Sequence, residues 1–294
     1  MELDELRRFY AEEIRAVSNI QNDALAEAFA RVRREDYLGQ GPWQIATPDS
    51  WQGRAHANAQ GGYRTTPDAD PRHLYHNVLV AIDAERRLNN GQPSALAAWF
   101  DALELSKGER VVHVGCGVGY YTAILAETVG SEGSVVGIEY DSELAARAKE
   151  NLARLSHVEV VCADGGTYDA GPADVVFVNA GATHPRPVWL DALNDGGRLI
   201  LPLTVTRDGE ESGGGFMLKL KRAGATFDAR ILSPVAIYSC AGARDPEMNT
   251  RLRDALMRGN WFAVQSLRRD AHEATAECWL HGEDFCLSTQ PSPD

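Results

Sequence analysis

The sequence predicts a doubly wound α/β fold, with a helical segment before it and a β-rich extension after it. Three observations carry this expectation. Between Arg110 and about Thr204, short apolar runs alternate with helical stretches at the spacing of βαβ units. The first apolar run leads straight into the turn Gly115-x-Gly117-x-Gly119. The flanks are patterned differently, helical before this region and with period two after it. The chain has 294 residues, of which 44% are apolar and 24% charged, with 13 Pro, a profile of a folded chain large enough for a sizeable core.

Taken in order, Leu25, Phe29, Val32 and Tyr37 recur at helical spacing within a first forty residues that read as helix. From Gln40 to Pro71 the pattern fails and a long loop is expected, carrying Trp43 and Trp51. Leu74 to Leu88 returns to apolar residues, Asn89 to Gly91 break the chain, and Pro93-Ser94 opens a helix through Leu103. Then come RVVHV as strand, YYTAILAETV as helix, SVVGIEY as strand and SELAARAKENLARL as helix. HVEVVCA and ADVVFVNA are further strands, VWLDAL a helix, and RLILPLTV after Gly196-Gly197 a fifth strand. GGGFMLKLKRAG and FDARILSPVAIYS read as a strand pair, followed by a helix from about Pro246 to Met257. NWFAVQSLRR, ATAECWLH and DFCLST close the chain with strand patterning. The expected divisions are a helical amino-terminal segment with the Trp-bearing loop (1–88), a ligand-binding α/β domain (89–240) and a carboxy-terminal extension packing on it (241–294).

Charge and composition exclude several functions. Twenty-nine Lys+Arg against 42 Asp+Glu give a net charge of −13, which argues against a nucleic-acid partner. The start, MELDELRRFYAEEIRAV, lacks the positive flank of a secretory leader, and no stretch approaches 18 apolar residues, so no membrane span is expected. The five cysteines, Cys116, Cys162, Cys240, Cys278 and Cys286, are odd in number and show no CxxC. Neither a disulfide framework nor a zinc site is signalled, no metal is expected, and a reducing cytoplasm fits best.

The glycine turn carries the chemistry. Glycines after a buried strand let the backbone turn tightly and lie against a ligand that a Cβ would displace. Twenty residues past Gly119, at the end of the next strand, Glu139 can accept hydrogen bonds from both hydroxyls of a ribose. Dinucleotide sites generally use G-x-G-x-x-G, but here Tyr120 holds the third position and the glycine comes one residue early, which favours the phosphate-free S-adenosyl-L-methionine. Asp164, with Gly165, closes the third strand where it can meet an adenine edge; alone, it reads as a turn or cap residue.

The run from VVHVGCGVGYYTAILAETVG through GIEYDSELAARAKENL, VEVVCADGG and PADVVFVNAGATHPRPVWLDALNDGGRLILPL resembles the protein-L-isoaspartate O-methyltransferase family, and upstream AFARVRREDYL is similar to its amino-terminal helix. About half of the chain is covered. The resemblance implies a Rossmann-like class I methyltransferase sheet with a late antiparallel strand, S-adenosyl-L-methionine as methyl donor, and a protein or peptide carboxylate as acceptor. The donor-binding residues it implies are His113, Gly115, Cys116, Gly117, Gly119 and Tyr120 from the turn, Glu139 and Tyr140, Asp164 and Gly165, and Asn179, with Asn179 through His184 lining the open side. The family has an acid where this chain has His113, and its G-Q-T-I-S-Q-P segment is shortened here to Gly91-Gln92-Pro93-Ser94-Ala95. Ser94 and Gln92 are the residues expected to orient the acceptor; Ser94 as a helix N-cap is the bland alternative.

A carboxylate acceptor needs no general base, because it is already ionised at neutral pH. A hydroxyl or amine acceptor would need one, and His184 and His76 are the candidates; a solvated or backbone-bonded His is the commoner case. Arg86-Arg87 can attract an anionic acceptor or simply be solvated. Two other readings stand beside carboxyl methylation: transfer to another acceptor, a small molecule or modified peptide, and donor binding without turnover. The carboxy-terminal segment, with Trp261, Phe262 and Trp279, packs on the sheet or forms a homodimer contact.

Overall fold

The computed structural model describes residues 2–46 and 62–292; Trp51 lies outside the described residues. In chain order the elements are α1 (Leu3–Ser18), α2 (Asp23–Arg31), β1 (Gln44–Ala46), β2 (Arg64–Thr65), β3 (Leu79–Asp83), β4 (Leu88–Asn89), α3 (Pro93–Ala102), β5 (Arg110–Val114), α4 (Tyr120–Val129), β6 (Ser134–Glu139) and α5 (Ser142–Leu152). These are followed by β7 (Val158–Cys162), β8 (Ala173–Val178), α6 (Pro187–Ala192), β9 (Leu193–Val205), β10 (Ser212–Ala223), β11 (Thr226–Tyr238), α7 (Pro246–Arg258), β12 (Ser266–Arg268), β13 (Cys278–His281) and β14 (Cys286–Ser288). The doubly wound α/β expectation holds, as does the β-rich extension. No helix among the described residues is long and apolar enough to cross a membrane.

The chain divides into two compact units. One comprises Met1–Gly108, Cys116–Ser134 and Glu143–Glu159. In it α1 packs on α2 and α3, and α2 on α4. Tyr10 meets Phe29 and Tyr75 edge to face, with ring centroids 6.4 and 5.7 Å apart. A four-stranded sheet of order β2-β1-β3-β4 covers a small core of Leu38, Trp43, Ile45, Leu74, Val78 and Val80. The predicted loop therefore contains two strands, too short to leave a period in the sequence. The first helical region also breaks: after Arg31 the chain becomes a 3-10 turn over Arg34–Tyr37, because Arg34 turns inward. Its guanidinium is fully buried and donates to the carbonyls of Leu74 (2.7 Å), His76 (3.2 Å) and Val78 (2.9 Å).

The other unit comprises Glu109–Gly115, Val135–Ser142 and Val160–Asp294, and holds a ten-stranded sheet of order β13-β14-β12-β11-β10-β9-β8-β5-β6-β7. β5, β8 and β9 run parallel, while β10 is antiparallel to both β9 and β11. Val112, Val114, Val176, Val178, Leu199, Leu201 and Leu203 line one continuous apolar face. Val111, Val175, Phe177 and Ile200, of opposite parity, are also fully buried, as in strands covered on both sides. β9 starts at Leu193, ahead of the glycine pair expected to precede it, and NWFAVQSLRR is half 3-10 turn (Trp261–Ala263), because Asn260 takes a left-handed conformation. Trp279, Leu280, Phe285 and Leu287 join the main core, so this segment packs on the sheet.

Replacing Arg34 with Met strips the buried carbonyls of Leu74 and Val78 of their donor and should cost about 3 kcal/mol or more. Lys should recover only part, since an ammonium cannot fork across three acceptors. Denaturant unfolding measures this, and an unchanged midpoint for Arg34→Met would refute the staple.

Candidate functional site

The strand order fixes where a ligand can bind. β5 lies between β8 and β6, so the chain leaves β5 toward β6 and β7 and later returns on its other side as β8. Such a reversal opens a crevice beyond the carboxyl ends of the strands. The Gly115 N–H donates to the Ile138 carbonyl (2.8 Å), and the Asn179 N–H to that of Val114 (2.8 Å). Gly115 has φ of +76°, and a Cβ there would lie 3.4 Å from Ala180 Cβ and 3.5 Å from the Asn179 carbonyl. The positive φ calls for glycine there, while these neighbours lie at ordinary van der Waals distance.

Around this crevice the same unit assembles several of the expected residues. Glu139 ends β6, is 9% exposed, accepts the Asp141 N–H at Oε1 (3.0 Å) and receives the Ala163 N–H at its carbonyl (3.0 Å). Tyr140 beside it is 64% exposed. Asp164 performs the turn role that was the bland alternative: its Oδ1 accepts the Gly166 N–H (2.8 Å), and its carbonyl accepts Thr167 (3.1 Å) and Tyr168 (2.8 Å). Gly165 sits against Val114, whose Cγ1 is 2.4 Å from where a Cβ would be. Gly242, after β11, lies so close to Asp164 that a Cβ would fall 1.8 Å from its Oδ1. The carboxy-terminal half thus supplies a wall beside Asp164 that no local sequence pattern signals.

Several expectations need correction. Of the segment from Asn179 to His184, Gly181, Ala182 and Thr183 are buried and stitched to neighbouring strands, with Gly181 donating to Tyr238 (2.7 Å), Ala182 to Pro202 (2.9 Å) and Thr183 to Ala243 (3.0 Å). Only Asn179, Ala180 and His184 keep partial exposure. Arg244 locks this segment through the carbonyls of Gly181 and Thr204 and the side chains of Thr204, Thr206 and Asn249. His184 is tied up at both nitrogens: Nε2 accepts from Arg186 (3.1 Å), which leaves Nδ1 to donate to Thr183 Oγ1 (2.9 Å). Burial, and then Arg186, lower its pKa, and its ring stacks on Phe285. It is a fixed neutral imidazole rather than a free base. His113 is fully buried with its ring 5.5 Å from Phe177, and desolvation pulls its pKa down to about 3.

The remaining expected residues belong to the other unit. Cys116 is buried, and Gly117, at φ +56°, has only Ile82 as near as 4.0 Å to a would-be Cβ. Gly119 starts α4 and packs under Leu152, 2.8 Å from a would-be Cβ. The Tyr120 side chain is not presented to a ligand, since it is buried edge to face with Tyr37 (5.6 Å) and Tyr121 (4.9 Å) beneath the Arg34 guanidinium (5.8 Å). Its contribution is confined to the main chain. Ser94 does not cap its helix: Gln92 holds the N-cap position and Pro93 starts the helix. Asn77, absent from the sequence expectations, organises both candidates. Its Oδ1 accepts the Ser94 N–H (3.0 Å) and Gln92 Nε2 (2.6 Å), while its Nδ2 donates to Ser94 Oγ (3.0 Å). Gln92 Oε1 is buried and receives no hydrogen bond from the described residues. His76 is exposed, and Arg86 and Arg87 occupy the β3–β4 turn rather than a helix end.

Residues 66–214 match the family model for protein-L-isoaspartate(D-aspartate) O-methyltransferase, about half of the chain. The chain belongs to this family. A Thermotoga maritima protein-L-isoaspartate O-methyltransferase is 38% identical over 133 residues, 44% of this chain and 42% of that protein. The chain therefore spans less than half the length of that relative. An Ignicoccus hospitalis enzyme of the same name is 35% identical over 170 residues, 56% of this chain and 77% of its own. In fold the chain is similar to a solved protein-L-isoaspartate O-methyltransferase (TM-score 0.61, 24% identity, 81% of this chain and 67% of that one). A Plasmodium falciparum structure described under the same enzyme name and in complex with S-adenosyl-L-homocysteine gives a TM-score of 0.58 at 17% identity, covering 80% and 98%.

The acid replaced by His113 leaves a pH signature. A group whose folded pKa lies near 3 against a usual 6.5 contributes stability that is complete above pH 6.5 and lost as pH falls toward 3. On going from pH 7.5 to pH 5, wild type should lose about 2 kcal/mol more unfolding free energy than His113→Leu. Parallel pH profiles for the two proteins would show that His113 is not buried neutral.

Proposed function

We propose that the chain is an S-adenosyl-L-methionine-dependent O-methyltransferase acting on a carboxylate of a protein or peptide. The observation that carries this reading is the crevice where β5 diverges from β8, floored by Gly115 and Asn179 and flanked by Glu139. The left-handed turn at Gly115, φ +76°, offers main chain for a ligand to lie on. Glu139 would hold the ribose hydroxyls, Asp164 and Tyr140 the adenine side, and the glycine turn the amino-acid end. The bound donor supplies an electrophilic methyl on a sulfonium.

For a carboxylate acceptor, the chain's own residues have to align and desolvate the nucleophile, and alignment alone contributes ~7 kcal/mol or more. No side chain needs to remove a proton. Gln92 and Ser94, held by Asn77, would orient the acceptor, with the unsatisfied Gln92 Oε1 offering an acceptor to a peptide N–H.

The direct test is radiolabelled methyl transfer to an isoaspartyl peptide with and without an alkaline step. Base-labile label, released as methanol, supports the reading; base-stable label, or donor binding with no transfer, overturns it. Glu139→Ala should weaken donor binding by about 1–3 kcal/mol in calorimetry, through loss of charged hydrogen bonds. Asn77→Ala should leave donor affinity unchanged while slowing transfer about tenfold or more, since misplacement of an orienting group costs rate. Unchanged affinity in the first variant, or unchanged turnover in the second, removes the role given to that residue.

A further inference from the structure

We infer that His272, Cys278, His281 and Cys286 form a tetrahedral site for one divalent transition-metal ion of the zinc type. Their ligand atoms all lie within 4.8 Å of one another. A zinc ion bonded at about 2.0–2.3 Å to two nitrogens and two sulfurs spaces its ligands roughly 3.3–3.8 Å apart, and Cys278 Sγ is already 3.5 Å from His272 Nε2. Small rotamer adjustments bring the rest into range. All four positions come from protein atoms, the closed set of a structural centre rather than a catalytic one, and two thiolates with two imidazoles in this arrangement suit zinc.

The backbone arranges this deliberately. Residues three apart on a regular strand point to opposite faces, so Cys278 and His281 should diverge. A bulge between Cys278 and Leu280 brings them to one side, and His281 pairs in register with Cys286 across the hairpin. His272 arrives from the loop after β12, its Nδ1 at 2.8 Å from the Asp270 carbonyl, which directs Nε2 inward as in metal-ligating histidines. The Thr275 N–H donates to Cys278 Sγ (3.3 Å), the outer contact a thiolate uses. His281 Nδ1, by contrast, is buried with no hydrogen-bond partner among the described residues. A buried ring nitrogen left bare is costly, and the four-ligand cluster around it explains why it is kept. The ion would clip β13, the terminal strand of the ten-stranded sheet, and the 269–277 loop onto β14.

The experiment uses the full chain purified without chelator. Elemental analysis should find about one zinc per chain, retained against a chromophoric chelator, and cobalt exchange should give tetrahedral d–d bands with a thiolate charge-transfer band. Cys286→Ser and His272→Ala should each lower retained metal at least about tenfold, whereas Cys162→Ser, at an exposed cysteine elsewhere, should keep it. Circular dichroism of each variant separates ligand loss from misfolding, and the wild-type competition requires no variant at all. Substoichiometric zinc that the chelator removes at once, or a Cys278–Cys286 disulfide in the chain purified anaerobically, would overturn the assignment.

Discussion

The divergence of the chain on either side of β5 is the constraint from which the site follows. With β8 bonded to one edge of β5 and β6 to the other, Gly115 leaves the sheet at the point where no strand continues. The left-handed backbone at that point, φ +76°, favours glycine before any ligand is considered. The same reversal sets Glu139 and Asp164 at the ends of successive strands, with their polar atoms already engaged by the turn N–H groups of Asp141 and Gly166. These bonds hold both carboxylates in position.

The other unit solves a different problem, which is to hold an irregular segment still. Residues 74–78 have no regular structure beyond a short 3-10 turn, and Arg34 meets the buried carbonyls of Leu74 and Val78. One guanidinium replaces the hydrogen bonds of a strand or helix there. Asn77 lies inside this clamped segment, and through it Gln92 and Ser94 gain fixed orientations at the start of α3. The Gly91-Gln92-Pro93-Ser94-Ala95 segment is thus held by the Asn77 amide.

Legibility in the sequence tracks how local each signal is. The βαβ alternation, the glycine turn and Glu139 follow from patterns within a few residues and were readable. Arg34 stands in the sequence beside Arg33 and near Arg31, and only contacts 40 to 44 residues away distinguish it. The resemblance places Tyr120 among the donor contacts, yet its ring joins Tyr37 and Tyr121 in an aromatic cluster, a preference set by packing. The cysteine and histidine cluster escaped because metal motifs are sought at fixed spacings, whereas here a bulge and a cross-strand register do what CxxC would do.

The state of His184 bears on which acceptor the fold suits. A hydroxyl or amine nucleophile must shed a proton, and a histidine after the fourth strand of the α/β region is the natural recipient near the crevice. Here Arg186 occupies the lone pair at Nε2, and the Nδ1 proton is committed to Thr183, which in turn donates to Ala243 (3.3 Å) and accepts the Asp245 N–H (3.1 Å). Taking up a proton at Nε2 would place a cation against Arg186 and break the hydrogen bond between them. The imidazole is therefore a strut for the loop carrying Gly242 and Arg244, and with both nitrogens engaged it is not free to take a proton.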